Sequence, residues 1–191
     1  MTVPMILTMA RIVLAPVFYV LYQVAGNGPS GLLFVAWGVF LLIELSDLLD
    51  GFFARKLNQV SESGKVLDPF ADSLSRLTYF VAFAGSGILP LWILLILIYR
   101  DVSVAYIRVL MSRDKVFLPA RVSGKIKAWV YAIAGVAGLA QFSLNKLGWL
   151  PSAMAGVGAA TYWLFILCGA VALWSLADYT AFFAKNFGKA S

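Results

Sequence analysis

Four aspartates, Asp47, Asp50, Asp68 and Asp72, fall close together in an otherwise apolar chain. Asp47 and Asp50 are three residues apart, and Asp68 and Asp72 are four apart, so on helices each pair projects from one face. Two helices joined by a short loop could bring all four carboxylates together. Like charges gathered at a membrane interface repel and destabilise the fold, and a divalent cation removes that repulsion. An all-oxygen donor set points to hard ions, Mg²⁺ or Mn²⁺. Ionisable residues at membrane depth are functional candidates by default. The chain has no histidine, which removes imidazole-based acid–base, nucleophilic and metal-ligand schemes together.

Smaller residues surround the aspartates. Gly51 and Ala54 leave room for a flat group, Arg55 could fork onto phosphate oxygens, and Gly64 loosens the connection before the second pair. Glu44 could extend the acidic site or pair with an arginine, and pairing is the slightly preferred reading. The full spacing is Asp47-x2-Asp50-Gly51-x2-Ala54-Arg55-x8-Gly64-x3-Asp68-x3-Asp72.

The elements that must position these residues are membrane helices. The chain has 191 residues, 62% hydrophobic and 13% charged, with a strongly positive mean hydropathy. A soluble domain averages about 45–50% apolar and about 25% charged residues. Too little polar surface remains to cover a core in water, so the bilayer is the expected solvent. About 20 apolar residues cross it as a helix. Six segments qualify, at 6–25, 32–50, 69–87, 89–110, 128–144 and 153–178, within one domain covering 1–191. The fourth could also be read as two pieces, because Arg100 and Asp101 interrupt it. The fold class expected is therefore an all-α integral membrane protein with six transmembrane helices.

Every lysine and arginine except Lys146 falls at the N-terminus, around the second-to-third and fourth-to-fifth connections, or in the C-terminal tail. The positive-inside rule then places both termini and the aspartates on the cytoplasmic side of the cell membrane. The net charge of +6 flanks apolar spans without forming a basic domain, so nucleic acid is not an expected partner. The first apolar run lacks a basic leader and a convincing cleavage site and reads as a retained helix. The single Cys168 reads as a core or lipid-facing residue and excludes a disulfide framework within one chain. Asp178 and the tail after it read as a helix end and a solvated tip. Most tryptophans and tyrosines read as interfacial or packing residues.

A second cluster of charge lies at residues 100–127, with Arg100, Arg108, Arg113, Lys115, Arg121, Lys125 and Lys127. Positive-inside anchoring accounts for some of these, Arg113 and Lys115 first. Arg100 and Arg108 lie two turns apart within a span, which is costly unless they face a polar cavity. With Arg121, Lys125 and Lys127 they suit an anionic, phosphorylated ligand. From the residues alone, a divalent-cation transporter and a structural bundle remain as alternatives. A transporter would place its carboxylates at mid-span without the Gly–Ala–Arg spacing, and a bundle would not need them.

The spacing resembles the signature of the CDP-alcohol phosphatidyltransferase family at all eight fixed positions. Chance matching at residue frequencies near 5–7% has odds on the order of 10⁻¹⁰ per start site. The resemblance implies metal-dependent transfer of a phosphatidyl group from CDP-diacylglycerol to an alcohol, with release of CMP, at a cytoplasm-facing site. It implies that Asp47, Asp50, Asp68 and Asp72 hold two metal ions and that Asp72 is also the general base. It further implies that Gly51, Ala54, Arg55 and Ser61 contact the cytidine diphosphate group, as do Met5, Ile6, Leu7 and Thr8. Met5 departs from the Asn found in many relatives. The pattern across 100–127 looks most like the branch whose acceptor is glycerol 3-phosphate, other branches using inositol phosphate, serine or phosphatidylglycerol. A homodimer is the implied assembly.

Overall fold

A computed structural model describes residues 3–56, 62–113 and 121–187, with side chains at 5–47, 68–112 and 121–186. Among these residues there is no strand. Six α-helices follow in order, α1 (Val3–Asn27), α2 (Gly31–Lys56), α3 (Glu62–Gly85), α4 (Leu91–Arg113), α5 (Val122–Leu147) and α6 (Met154–Phe187). A single 3₁₀ turn, Pro151–Ala153, leads into α6.

Each expected segment falls on one helix, but the helices outrun the apolar stretches at their charged ends. α2 continues through Lys56, α3 begins at Glu62, α5 begins at Val122 and α6 continues to Phe187. Charge ends a hydrophobic run without breaking a helix, because its backbone hydrogen bonds are internal. Two expectations are corrected on this point. Gly64 lies inside α3 and not in a connection, and Asp178 lies inside α6 and not at its end. α4 is one uninterrupted helix across Arg100 and Asp101, so the two-piece alternative falls.

Among the described residues, three helical stretches are long and apolar enough to cross a membrane by length and composition: Met5–Asn27, Val122–Leu147 and Pro151–Asn186. The other three helices carry more of the charge. α2 holds Glu44, Asp47 and Asp50, α3 holds Asp68, Asp72 and Arg76, and α4 holds Arg100, Asp101 and Arg108. Large apolar side chains on the outer faces, such as Phe34, Tyr99 and Trp163, are left exposed by their own fold. That is the surface an acyl-chain solvent requires.

The helices form two groups of neighbours. α1 packs on α2 and α3, and α6 packs on α4 and α5. α3 joins the groups, since it also packs on α4 and α5. The shared core is aromatic, with Phe18, Tyr22, Phe40, Tyr79, Phe80, Phe83, Tyr131 and Phe165 all buried. Their rings meet mostly tilted or edge to face, as at Phe80–Tyr131 (5.3 Å, 86°), the arrangement favoured by ring quadrupoles. Gly138 lets α5 approach this cluster, because a Cβ there would come within 2.7 Å of the Phe83 ring. Small residues at helix interfaces are how membrane helices gain close packing. Cys168 belongs to this core, with its Sγ 3.8 Å from the Val130 carbonyl.

Candidate active site

Asp68, Asp72 and Arg76 follow one another at four-residue intervals on α3, so they share one face. That face meets Thr8 and Arg11 on α1 and Glu44 and Asp47 on α2. The Thr8 hydroxyl donates to Asp68 Oδ1 at 2.8 Å, and Arg11 Nη1 donates to Asp47 Oδ1 at 2.6 Å. The buried Arg76 guanidinium joins three helices. Its Nε lies 2.9 Å from Asp72 Oδ1, its Nη2 donates to Asp47 Oδ2 at 2.8 Å, and its Nη1 donates to the Ala128 carbonyl on α5 at 2.8 Å. Glu44 Oε2 stands 3.7 Å from the same guanidinium, which favours the pairing reading of Glu44.

Asp47, Asp68 and Asp72 line a cavity of about 550 Å³. Their oxygens are only partly enclosed, Asp47 being 30% and Asp72 24% exposed, so a ligand can reach them. An oxygen-only donor set facing one space fits a hard divalent ion in chemistry. Among the described residues, no group of three or more carboxylate, thiol or imidazole side chains is gathered closely enough to hold a metal ion. Arg11 and Arg76 instead balance the charge. Asp50 stands three residues beyond Asp47 on α2, and its side chain lies outside the described residues, as do those of Gly51, Ala54 and Arg55. Ser61 lies wholly outside them.

The N-terminal stretch divides. Thr8 is buried and meets Asp68, whereas Ile6 is exposed and Met5 and Leu7 are half-buried. Met5, Ile6 and Leu7 are not among the described residues lining the cavity.

The same cavity is also lined by Arg100, Arg108, Arg121, Lys125 and Lys127, its cation wall, so all five cations expected to grip an anion share one space with the aspartates. Their surroundings differ. Buried Asp101 takes a hydrogen bond from Arg100 Nη1 at 2.6 Å and from Lys127 Nζ at 2.9 Å, and Arg100 Nη2 also donates to Ser175 Oγ at 2.7 Å. Asp178 receives both Arg121 Nε, at 2.6 Å, and Arg121 Nη2, and the Ser123 hydroxyl donates to it at 2.6 Å. This hydrogen bonding holds the Arg121 guanidinium above its ordinary pKa range. Arg108 donates to the Tyr179 hydroxyl at 3.1 Å. Two carboxylates, Asp101 and Asp178, thus answer five cations, and among the described residues Arg108 and Lys125 have no carboxylate partner.

Several of these residues were not foreseen as site residues. Arg11 reads in sequence as a topology signal, but it is buried on Asp47. Arg76 carried a visible cue, since it follows Asp72 by four residues on one helix. Asp101 carried one as well, as a carboxylate beside Arg100 within an apolar span. Ser175, Asp178 and Tyr179 gave none, because their partners are distant in sequence.

Residues 1–174 match the family model described as CDP-alcohol phosphatidyltransferase. A Mycobacterium tuberculosis protein named "Probable phosphatidylglycerophosphate synthase" is 31% identical over 183 residues, 96% of this chain and 82% of that protein. A Streptomyces coelicolor protein named "Cardiolipin synthase (CMP-forming)" is 33% identical over 173 residues, 85% of this chain and 78% of its own. A Bacillus subtilis protein named "CDP-diacylglycerol--glycerol-3-phosphate 3-phosphatidyltransferase" is 30% identical over 137 residues, 67% of this chain and 71% of its own.

Proposed function

The chain belongs to the CDP-alcohol phosphatidyltransferase family, and on that premise we propose that it transfers the phosphatidyl group of CDP-diacylglycerol to glycerol 3-phosphate. The observation that carries this reading is the single cavity in which Asp47, Asp68 and Asp72 face Arg100, Arg108, Arg121, Lys125 and Lys127. Carboxylates and surplus cations lining one space suit a reaction between a pyrophosphate and an acceptor that itself carries phosphate.

In this reading the acceptor hydroxyl gives its proton to Asp72 as its oxygen attacks the phosphorus bearing diacylglycerol. The bond from that phosphorus to the CMP oxygen breaks, and the electron pair leaves with CMP. Arg76 occupies Asp72 Oδ1, which fixes the carboxylate and leaves its other oxygen for the proton. Asp47, Asp50, Asp68 and Asp72 would hold two Mg²⁺ or Mn²⁺ ions, which when bound neutralise the pyrophosphate and the leaving oxygen. Thr8, Gly51, Ala54, Arg55 and Ser61 are the donor contacts, with Met5, Ile6 and Leu7 beside them. Phosphoryl transfer asks chiefly for alignment and charge neutralisation, and the carboxylates and cations of the cavity divide those tasks.

The acceptor follows from charge. Among the described residues Arg108 and Lys125 lack carboxylate partners, and Arg100 and Lys127 share one between them. A phosphate monoester brings up to two negative charges to that wall, whereas the diester of phosphatidylglycerol brings one. The chain would act as a single domain in the cell membrane, crossing it six times with both termini and the cavity mouth cytoplasmic, and as a homodimer.

The deciding experiment supplies purified protein with CDP-diacylglycerol and MgCl₂ and measures CMP release with glycerol 3-phosphate, inositol phosphate, serine or phosphatidylglycerol. Release that depends on glycerol 3-phosphate is expected. Release with phosphatidylglycerol alone would assign cardiolipin formation and overturn the acceptor, leaving the aspartate chemistry in place.

A further inference from the structure

Tyr179 stands where three helices of the cation wall converge. It lies on α6, is 1% exposed, and lines the cavity with Arg100, Arg108 and Gly124. The Arg100 Cζ is 5.6 Å from its ring centroid and the Arg108 Cζ is 5.5 Å away. These two arginines leave α4 two turns apart, roughly 12 Å along the helix axis, and still converge on one ring. Two guanidiniums repel, so their convergence needs negative charge. The ring's π face supplies part of it, and the Tyr179 oxygen accepts a hydrogen bond from Arg108 Nη2 at 3.1 Å. Asp101 steadies Arg100, whereas Arg108 is held by Tyr179 alone among the described contacts.

The ring is fixed from behind by the absence of a side chain. On α5, a Cβ at Gly124 would fall 2.8 Å from the Tyr179 oxygen and 3.5 Å and 3.6 Å from two ring carbons. Only the oxygen contact is closer than atoms tolerate. A methyl group at position 124 would therefore displace the phenol tip to which Arg108 donates.

We infer that Tyr179 is the positioning residue of the acceptor site, aiming Arg108 together with Arg100 at an acceptor phosphate, and that Gly124 provides the space it occupies. This rests on the acceptor reading given above. A guanidinium already aimed loses less freedom when the phosphate arrives, so removing the aim weakens the acceptor and spares the donor.

The test compares Michaelis constants for glycerol 3-phosphate and CDP-diacylglycerol in the full-length protein. Tyr179→Leu removes ring and hydroxyl together and should raise the glycerol 3-phosphate KM about tenfold, with kcat at saturation and the donor KM within about twofold. Tyr179→Phe keeps the ring and should cost only about two- to threefold. Gly124→Ala should raise the same KM about fivefold, and Gly124→Ala with Tyr179→Phe should fall back to the Tyr179→Phe value, because the methyl then meets no oxygen. That reversal shows that the methyl acts through the Tyr179 oxygen, and an acceptor KM that moves while kcat and the donor KM stay put is what separates aiming from packing. Arg108→Gln separates the two readings. If it raises the acceptor KM while Tyr179→Leu leaves it unchanged, or shifts donor and acceptor in parallel, Tyr179 is a packing residue and the inference fails. If Arg108→Gln itself has no effect on the acceptor, the site lies elsewhere and both readings fall. Should Tyr179→Leu not fold, the Gly124 pair decides, and additive losses there overturn the clamp.

Discussion

Arg76 reaches from α3 to α2 and sets its Nη2 2.8 Å from Asp47 Oδ2, deep enough that the guanidinium is nearly closed off from outside. The same group holds Asp72. One cation therefore ties together carboxylates from the two halves of the aspartate motif before any ligand arrives.

Arg76→Gln should accordingly cost about 3 kcal/mol of stability, the lower end for a broken buried pair because Asp47 keeps some exposure. That corresponds to roughly 6–12 °C in melting temperature. Magnesium chloride should recover more of that loss in the variant than it adds to the parent, because the freed carboxylates repel until a cation joins them. Melting curves in EDTA and in magnesium decide the matter. Equal magnesium shifts in both proteins would show that Arg76 does not stand in for metal charge.

Asp72→Asn separates base from ligand. Turnover should fall by roughly 10²–10⁴-fold, the usual contribution of a positioned base, while CDP-diacylglycerol still binds. Asp47→Asn and Asp68→Asn should weaken donor and metal binding together. Equilibrium binding measured beside initial rates distinguishes the two behaviours, and near-normal turnover in Asp72→Asn would remove it from the base role.

Neutralising the unanswered cations should act on the acceptor. Arg108→Gln and Lys125→Gln should raise the glycerol 3-phosphate KM by roughly ten- to a hundredfold, the equivalent of about 1.5–3 kcal/mol for charged hydrogen bonds left unmade. Lys125 is the more exposed and should sit at the low end. Arg113→Gln serves as the control for simple membrane anchoring, and small parallel losses in all three would favour that explanation.

Orientation has its own measurement. Single cysteines at Asn27 and Asn58 in a Cys168→Ser background should label from opposite sides of right-side-out vesicles. Labelling of both from outside would reverse the assignment of the aspartates to the cytoplasm.

Much of this architecture was legible in the chain because apolar helices announce themselves locally. The apolar runs located all six helices, and the carboxylate spacing marked the face of α3 that lines the cavity. Helix ends were not legible where hydrophobicity stopped and the helix continued, at Lys56, Glu62, Val122 and Phe187. The partners of the cations were hidden for another reason. Arg121 meets Asp178 and Arg100 meets Ser175 only because α6 packs on α4 and α5. No local pattern records such pairings. Arg11 shows the cost of a generic rule, since positive-inside reasoning accounted for its charge and hid its contact with Asp47.

The arrangement of the helices in two groups joined by α3 has a further consequence. The aspartates and Thr8 come from α1, α2 and α3, while Arg100, Arg108, Lys125, Lys127 and Tyr179 come from α4, α5 and α6, and Arg121 immediately precedes α5. On the proposed roles, reaction and choice of alcohol are inherited on separate stretches of chain. Mutation can then redraw the preference for one alcohol over another within residues 91–187 while the reacting carboxylates stay as they are. A scaffold so divided can diversify by drift in its second half alone.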